Sequence, residues 1–586
     1  MFGFSTYEYD DDGFRTCGVT SLRIHESAED MVKLYGLTAI VALLVGGIFA
    51  IFVALTRWEL VGLLSPSDFY RYLSVHAWYL LIFWMVFMEI AILYVGGSFV
   101  LGRRLALQWL SKVAYAVMVV GALVITYGTW TQEVPNQAPL LTSYAPLPSP
   151  ASFYLGVDLF LLGALVAAVP FLATVWREKR EHPSKTLPLV TFGAFVTSIV
   201  AAEAIVGGLI TYVPTLFWRI GWIAHIDAAW YRQMYWIIGH GSQQINLLAM
   251  ITVWYFMTHV VGGAEVASEK VSRFAFVLYL FFINMGAAHH LMSDPAVGLG
   301  WRLWNTSYAA YGAVVASMIH AFAIPAGLEA GRRRKGKGGG LFGWLWSAPW
   351  KDPGFSATIL SIILFGFLGG ITGVMMGQMQ LNMTWHNTLA VPGHFHATVA
   401  TGTTLAFMGL GYYVIRLVFG REWVGGVLAT VQPYIYGGAM GIVALMMMYL
   451  GVLFGVPRRH PTVMNIPGTE FSFEPAAPFF AVFGVTAVLA ILGGALFVAI
   501  AVGSLLVGGE FTGDARIAAL RAAADGGERG ARTSSEPRSD GGEQADTPHH
   551  QSMRGTFVFT LVFLATFVVL WALNWLLLSQ VWQVGP

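Results

Sequence analysis

Runs of about 20 or more apolar residues recur along the whole chain, and this recurrence constrains the fold more than any other feature of the sequence. Thirteen such runs lie between residues 33 and 580. A helical run of this length spans the hydrocarbon core of a bilayer. Only helices or closed barrels satisfy their backbone polar groups there, and the alternating ten-residue pattern of barrel strands is missing from the sequence. We therefore predict an all-α polytopic membrane helix bundle of about thirteen transmembrane helices.

The composition agrees with this prediction and excludes other classes of protein. Of the 586 residues, 56% are hydrophobic and only 11% are charged, too few for the surface of a soluble protein of this size. The formal net charge of +1 gives no attraction to nucleic acid, and we expect no nucleic-acid partner. The single cysteine, Cys17, excludes an internal disulfide and a thiolate-bound metal cluster.

The distribution of basic residues predicts the orientation in the membrane. They cluster in alternate loops, at Arg103–Arg104, around Arg177 and at 332–337. By the positive-inside rule these loops and the N-terminus are cytoplasmic, and thirteen crossings place the C-terminus outside. Four parts follow: a cytoplasmic N-terminal segment at 1–32, a twelve-helix core at 33–508, a flexible cytoplasmic Gly- and Ser-rich linker at 509–552, and an additional C-terminal transmembrane helix within 553–586.

Histidines inside the apolar runs are candidate functional groups, because ionisable side chains are costly in a membrane. There are seven of them: His76, His240, His289, His290, His320, His394 and His396. For any single histidine the alternative is a hydrogen-bonded core residue. His394 and His396 project about 200° apart on a helix, so they cannot share one metal ion but can hold two planar cofactors on opposite sides. Haem is the obvious candidate, and His76 is available as a second axial ligand.

The adjacent pair His289–His290 indicates a different kind of site. Neighbouring helix positions are about 100° apart, close enough to bind one ion if a third ligand comes from elsewhere. His240, within GHGSQQIN, can supply that ligand. Three neutral imidazoles without a thiolate favour copper or zinc over iron. A redox role beside a haem favours copper.

These motifs together resemble subunit I of the haem–copper oxidase superfamily, and most of all its B-type, ba3-like branch. The resemblance covers about residues 70–460. The segments that carry it are VHAWYL around His76, GH at 239–240, HH at 289–290, LEAGRR at 328–333, GLFGWLWSAPWKDPGF at 340–355, HNTLAVPGHFH at 386–396 and GVPRR at 455–459.

The resemblance implies two haems and one copper ion. The implied ligands are His76 and His396 for a low-spin, b-type haem, His394 for a high-spin haem of b3 or a3-like type, and His240, His289 and His290 for a CuB-type copper. The resemblance also implies that Arg458 and Arg459 neutralise haem propionates at the outer face, with His386 close to a propionate or the proton exit. The positive-inside rule predicts few basic residues in an outer loop, and binding of propionates would explain why these two arginines lie in one. The alternative is that they are simply solvated loop residues.

One departure from the family's pattern concerns the reacting site. Dioxygen-reducing members carry a tyrosine four positions after the first copper-binding histidine, and the better-known nitric oxide reductases carry a glutamate there. This chain has Gln244, on the same helix face as His240. An amide cannot form a phenoxyl radical, but it can donate a hydrogen bond to a reacting oxygen. With His240, His289, His290 and His394, we therefore expect Gln244 to be catalytic.

The loss of the tyrosine favours a two-electron reaction. We expect a respiratory nitric oxide reductase that forms nitrous oxide, as in denitrification. The alternative is a B-type cytochrome c oxidase that reduces dioxygen to water with proton translocation.

The proton route of the branch is also altered. Tyr255 and Ser317 remain as candidate relay groups, whereas Ile251 stands where a hydroxyl is expected and His320 where a threonine is expected. Glu203, an intramembrane carboxylate without a charge partner on its own helix, is a further candidate relay. The alternative for Glu203 is a protonated, hydrogen-bonded core residue.

Electrons must reach these cofactors from another protein. The chain contains neither a CxxCH haem attachment nor a cysteine-rich copper site. We expect a subunit II with a binuclear, CuA-type copper centre, and a cytochrome c or a small copper protein as its donor. The location expected for such a complex is the plasma membrane of a prokaryote.

The ligand set can be tested by substitution. His76→Ala or His396→Ala should abolish the low-spin haem bands, because each leaves one axial position empty. His394→Ala should remove the high-spin haem and spare the low-spin one. Optical spectra of the reduced proteins measure this, and normal low-spin bands in His396→Ala would contradict the argument from opposite helix faces.

Overall fold

The computed structural model describes residues 7–58, 60–131, 144–282, 289–460, 474–511 and 553–581. A helix lies at each of the thirteen apolar runs. The helices are α1 (Glu26–Arg57), α2 (Pro66–Phe99), α3 (Gln108–Trp130), α4 (Ala151–Glu181), α5 (Leu189–Arg219), α6 (Ala228–Val260), α7 (Glu269–Phe282), α8 (Leu299–Arg334), α9 (Pro353–Met376), α10 (Ala390–Val418), α11 (Val427–Phe454), α12 (Glu474–Val507) and α13 (Arg554–Val581). The prediction of a polytopic membrane helix bundle is confirmed.

Ten of these helices are long and apolar enough to cross a membrane by themselves. The other three are α6, α7 and α13. α6 falls short because its middle carries His240, Gln243, Gln244 and Asn246. At 33 residues, α6 is as long as the other membrane helices. We therefore place it in the bundle and attribute its polar residues to a binding role.

The first helix begins earlier than its apolar run. β1 (Phe14–Thr16) pairs antiparallel with β2 (Arg23–His25), and α1 follows directly. Buried Glu29 forms ion pairs with Arg15 at 2.7 Å and with Lys33 at 3.0 Å. These pairs bury the charges of the first helical turns, so α1 starts at Glu26, inside the segment 1–32 that the sequence assigned to a separate part.

Several membrane helices contain π-helical turns beside the candidate ligands. One runs from Trp78 to Phe83, just after His76, and another begins at His396 and ends at Thr403. A third covers Phe365–Gly370, before Thr372. Such turns shift the register of a helix and are frequent at functional sites.

α10, which carries His394 and His396, packs very closely against α11. A Cβ added at Gly451 of α11 would collide with the backbone of Leu389 and Ala390. A Cβ added at Gly393 would lie 2.7 Å from the backbone nitrogen of Met448. Glycine at these two positions therefore sets the distance between the ligand-bearing helix and its neighbour.

A carboxylate joins the last helix to α8. Glu329 is fully buried, and its side chain accepts hydrogen bonds from the backbone N–H of Gly555 at 3.1 Å and of Thr556 at 2.6 Å. The first N–H groups of α13 thereby gain the acceptor that a helix start needs. The linker predicted at 509–552 lies, after Phe511, outside the described residues.

The close approach of α10 and α11 gives a prediction. Gly451→Ala should destabilise the protein by about 1–3 kcal/mol and disturb the haem bands, because α10 must move away from α11. Thermal unfolding and optical spectra of the purified protein measure both effects. Gly438→Ala is the matched control on the same helix, since a Cβ there meets nothing within 4 Å; equal effects of the two changes would refute the packing argument.

Candidate active site

A single cavity of about 810 Å³ lies among the central helices. Eleven of the site residues predicted from the sequence line it: His76, His240, Gln244, His289, His290, Ser317, His386, His394, His396, Arg458 and Arg459. Tyr255, His320 and Glu203 are not among its lining residues. The helices thus bring the six proposed metal ligands to one chamber, although they lie on four different segments of the chain.

The three proposed haem ligands are held in the same way. His76 places Nδ1 3.2 Å from the carbonyl oxygen of Gly46, and His396 places Nδ1 2.7 Å from that of Pro392. His394 has Nδ1 2.9 Å from the Thr372 hydroxyl. Engaging Nδ1 fixes each ring and leaves Nε2 as the nitrogen for a metal. In each ring Nε2 is therefore the nitrogen that would bind a haem iron.

His394 and His396 lie toward different parts of the cavity. His394 contacts α9, where a Cβ added at Gly373 would meet its ring at 3.1 Å, and it lies within electrostatic range of His289. His396 lies within electrostatic range of His76. The two neighbourhoods are consistent with one cofactor shared by His76 and His396, and another between His394 and the three remaining histidines.

Those three histidines form a compact triad. His240, His289 and His290 each offer a ring nitrogen, and these nitrogens lie within 4.8 Å of one another. His240 Nδ1 is 3.0 Å from His290 Nε2. Three ligands at bonds of about 2 Å require separations of this size. The triad therefore fits one metal ion, and its all-nitrogen donor set suits copper.

Two features that support the triad were missed in the sequence analysis. Trp236, one turn before His240, stacks on the ring of His290 with centroids 3.8 Å apart. Arg232 forms an ion pair with buried Asp294 at 2.9 Å, which ties the segment after His290 to α6. Asp294 follows the histidine pair closely in sequence, but its partner Arg232 lies 62 positions earlier, and no local pattern connects the two residues.

Gln244 occupies the face of α6 that the sequence predicted. Its amide nitrogen contacts Nε2 of His240, and its amide oxygen is buried without a hydrogen-bond partner among the described residues. Turning the amide by 180° places its oxygen against an Nε2–H, which leaves Nδ1 of His240 for the metal. In both orientations the Gln244 amide contacts the ring of His240.

One end of the cavity carries four guanidinium groups, which we call the arginine cluster: Arg57, Arg232, Arg458 and Arg459. Burial, and then the charge of Arg459, lower the pKa of Arg458 to about 10, so it stays protonated at neutral pH. Burial, and then the charge of Arg458, lower the pKa of His386 to about 4, so its ring is neutral there. This end has the charge to bind carboxylates, as expected for Arg458 and Arg459.

Three of the proposed relay residues, Tyr255, His320 and Ser317, belong to two hydrogen-bonded groups that meet through a ring contact. The Tyr255 hydroxyl is 3.0 Å from both Ser272 Oγ and Nδ1 of His320, which is fully buried. Ser317 joins this group through Tyr279, whose hydroxyl lies 2.7 Å from Ser317 Oγ and whose ring stacks on His320. Tyr279 lines the cavity and was missed, because it sits in an apolar run with no polar neighbour in sequence.

Glu203, the fourth candidate relay residue, does not line the cavity. It lies on an exposed face of α5, while its neighbour Ala204 packs against Gly241 of α6. The alternative of a core residue is therefore wrong, because the helix turns this side chain outward. Its position gives no support to a role in a relay leading to the cavity.

These observations define a polytopic membrane protein whose central cavity holds six histidines in an arrangement compatible with haem and copper ligation. The donor chemistry fits: three rings held by Nδ1, three convergent imidazoles, and cations for carboxylates. Comparison with known proteins identifies the family. The sequence profile described as "Cytochrome C and Quinol oxidase polypeptide I" matches residues 30–496.

Named relatives agree. Cytochrome c oxidase subunit 1 of Thermus thermophilus is 31% identical over 458 residues, which cover 75% of this chain and 78% of that protein. The Bacillus subtilis protein of the same name is 24% identical over 461 residues, 73% of this chain and 67% of that one. A cryo-EM structure of a heme–copper terminal oxidase dimer matches with a TM-score of 0.76 and 26% identity, covering 83% of this chain and 85% of that chain. The chain belongs to the haem–copper oxidase subunit I family and is the catalytic subunit of such an enzyme.

The ion pair between Arg232 and Asp294 gives a prediction for the triad. Asp294→Asn should weaken copper binding about ten- to hundredfold, as is typical when a group that orients metal ligands is lost. The copper-to-haem ratio after dialysis against a chelator measures this. Asp68→Asn, which removes the acid of a long ion pair with Arg71 at 3.9 Å, is the control. Unchanged copper retention in Asp294→Asn would show that the ion pair does not hold the triad.

Proposed function

We propose that this chain reduces dioxygen to water, as the catalytic subunit of a B-type cytochrome c oxidase. The observation that carries the proposal is the convergence of six histidines on one cavity, in a chain whose named relatives are cytochrome c oxidases. The sequence favoured nitric oxide, on the ground that Gln244 replaces a tyrosine. The relatives give that expectation no support, and the contact of Gln244 with His240 supplies another reason for the glutamine.

The residues have distinct roles in this proposal. His76 and His396 would hold a low-spin haem, His394 a high-spin haem, and the triad a copper ion. When bound, the two haems and the copper supply the electrons and the open coordination positions at which dioxygen is reduced.

We expect protons to approach the cavity along two hydrogen-bonded groups of side chains, which are in ring contact but share no hydrogen bond among the described residues. Ser272, Tyr255 and His320 are in hydrogen-bond contact, and the Tyr279 hydroxyl holds a proton next to Ser317 Oγ at the cavity wall. Ring stacking of Tyr279 on His320 brings the two groups together. Tyr279 also offers a phenol to the cavity, at a position other than 244.

Electron supply comes from outside the chain in this proposal. A subunit II with a CuA-type centre would deliver electrons near the arginine cluster, and cytochrome c is the donor that the names of the relatives favour. A small copper protein is the second donor. The complex would lie in the plasma membrane of a prokaryote, with the N-terminus cytoplasmic.

Nitric oxide reduction is the second candidate, and Gln244 is the specific observation that favours it. Its buried amide oxygen has no hydrogen-bond partner in the described part of the chain, and the side chain lines the cavity. If the amide leaves His240, its NH₂ can donate to a substrate oxygen that gains negative charge. A preorganised donor of this type contributes about a hundredfold to a rate.

Turnover of the purified complex separates the two candidates. With one donor and matched concentrations, we expect rapid dioxygen reduction and slow anaerobic nitric oxide reduction. Tyr279→Phe should lower dioxygen reduction at least about tenfold without changing haem or copper content, because the hydroxyl at the cavity wall is lost. Tyr436→Phe is the control, since the Tyr436 hydroxyl bonds the Ala400 carbonyl instead. Faster turnover of nitric oxide than of dioxygen by the unaltered enzyme would overturn the proposal.

Gln244→Ala tests the role of the glutamine. If Gln244 positions His240, its loss should lower the copper content, while the turnover number per bound copper changes little. If Gln244 instead donates a hydrogen bond to nitric oxide, its loss should lower the rate of nitric oxide reduction about a hundredfold per bound copper. Copper and haem analysis beside both rate measurements distinguishes the two.

A further inference from the structure

Glu89, in the second half of α2, is a buried carboxylate with no part among the metal ligands, the arginine cluster or the relay residues. It is 4% exposed, and its Oε1 has no hydrogen-bond partner in the described part of the chain. None of the ion pairs formed by the described residues includes it. An ionised carboxylate without a partner is very unfavourable inside a membrane protein, whereas a protonated one is tolerated. Glu89 therefore carries a proton within the bundle.

Glu89 lies on the face of α2 that leads to the cavity. Met85, one turn before it, lines the cavity, and a Cβ added at Gly96, two turns after it, would lie 3.0 Å from Ala194 of α5. Positions four and seven apart share one face of a helix. The part of α2 around Glu89 also packs against α6. Glu89 therefore lies one turn beyond the cavity wall, on the side of α2 that faces α5 and beside α6.

Asn246 of α6 lies at the same depth in the membrane as Glu89. As even-numbered helices of the bundle, α2 and α6 cross the membrane in the same direction, and Gly96 of α2 and Thr252 of α6 contact neighbouring residues of α5. Glu89 precedes Gly96 by seven residues and Asn246 precedes Thr252 by six, so both lie about 10 Å before these contacts. Asn246 is 2% exposed, and its Oδ1 also has no hydrogen-bond partner among the described residues.

Two amides connect this depth with the cavity. Asn246 donates from Nδ2 to Oε1 of Gln243 in a long hydrogen bond of 3.5 Å, and Gln243 lines the cavity. Amides both donate and accept hydrogen bonds, and buried acceptors without a protein partner typically bind an ordered water. Glu89 Oε1 and Asn246 Oδ1 are two such acceptors on packed helices. A polar path through α6 thus begins beside Glu89 and ends at the cavity.

We propose that Glu89 stores a proton for the reaction in the cavity and delivers it through water held by Asn246 and Gln243. The carboxyl O–H bond of Glu89 breaks, the proton passes to an oxygen of the substrate that gains an electron, and Glu89 becomes a carboxylate. Protons that arrive by the Tyr255 and Tyr279 groups then return through the same amides and restore the acid. The electrons come from the external donor, so Glu89 itself is neither oxidised nor reduced.

The proposal rests on the proposed function only in that the cavity consumes protons. Reduction of dioxygen to water and reduction of nitric oxide to nitrous oxide both do so, and the inference holds for either substrate. The competing explanation is that Glu89 only fills space between α2 and α6. A residue of that kind would affect stability, but its protonation would not follow the redox state of the cavity.

Infrared difference spectroscopy of the purified complex tests the proposal. The reduced-minus-oxidised spectrum should contain a change in the C=O stretch of a protonated carboxyl group, and Glu89→Gln should abolish it. Glu89→Gln should also slow turnover of the preferred substrate at least about tenfold at unchanged haem and copper content, because a proton donor is lost. Glu89→Asp should retain part of the rate and a shifted band, since it keeps the acid.

Asp158→Asn is the matched control. Asp158 is another carboxylate of a membrane helix whose two oxygens are buried without hydrogen-bond partners among the described residues, and it does not line the cavity. Its loss should leave both turnover and the redox-sensitive band unchanged. A slowing as large as that of Glu89→Gln would show that any buried acid has this effect and would overturn the proposal.

Asn246→Leu tests the path separately from the acid. It should slow turnover about as much as Glu89→Gln, and the two changes together should be no slower than the slower single variant, because both interrupt one route. Unchanged turnover in Asn246→Leu, or a carboxyl band that does not respond to reduction, would overturn the proposal even if Glu89→Gln fails to fold. An unaltered enzyme that reduces neither substrate would refute the proposed function, while the infrared band would still decide the role of Glu89.

Discussion

The interior of a bilayer contains no water, and the rest of this structure depends on that constraint. Every polar group inside the bundle has to find its partner within the protein or in a cofactor. The imidazoles of His76, His394 and His396 each satisfy Nδ1 with a carbonyl or a hydroxyl. That leaves Nε2 as the group still in need of a partner. The same bonds that make the histidines tolerable in the membrane therefore aim them as metal ligands.

Helix packing converts these local bonds into a site. α10 can approach α11 closely only because Gly393 and Gly451 carry no side chain. The π-helical turn that begins at His396 changes the register of α10 directly after the second ligand. On the opposite side of the triad, the ion pair of Arg232 with Asp294 and the stacking of Trp236 on His290 hold the histidine pair against α6. The arrangement of the six histidines is therefore a consequence of contacts between helices that are distant in sequence.

Much of this architecture could be predicted from the sequence, because the signals are local. Apolar length gave the thirteen helices, and the spacing of His394 and His396 gave two cofactor neighbourhoods. Tyr279 could not be found in this way, because nothing in the sequence distinguishes it from the other aromatic residues of the apolar runs. Arg57 was also missed. In the sequence it is an ordinary arginine at the end of a helix, and only the structure shows that it contacts the Arg458 backbone. The sequence placed Gln244 on the face of α6 that carries His240, but only the structure shows that its amide contacts the His240 ring. The expectation of nitric oxide as substrate finds no support in the named relatives. Helix ends were displaced where buried ion pairs, such as Arg15 with Glu29, extend a helix beyond its apolar run.

In the proposed function, the distribution of charge along the cavity couples electron and proton transfer. Along α6, Arg232 of the arginine cluster comes first, His240 follows, and Tyr255, which contacts His320, comes last. Cations at the first end favour the arrival of an electron, since they stabilise the added negative charge in a medium of low dielectric constant. An electron that enters without a proton leaves the centre with uncompensated charge, which is costly where water is excluded. The hydroxyl and imidazole chain at Ser272, Tyr255 and His320 lies where it can supply that proton. With electrons arriving at the arginine cluster and protons from the side of Tyr255, as proposed, each transfer would depend on the other through the charge of the centre between them.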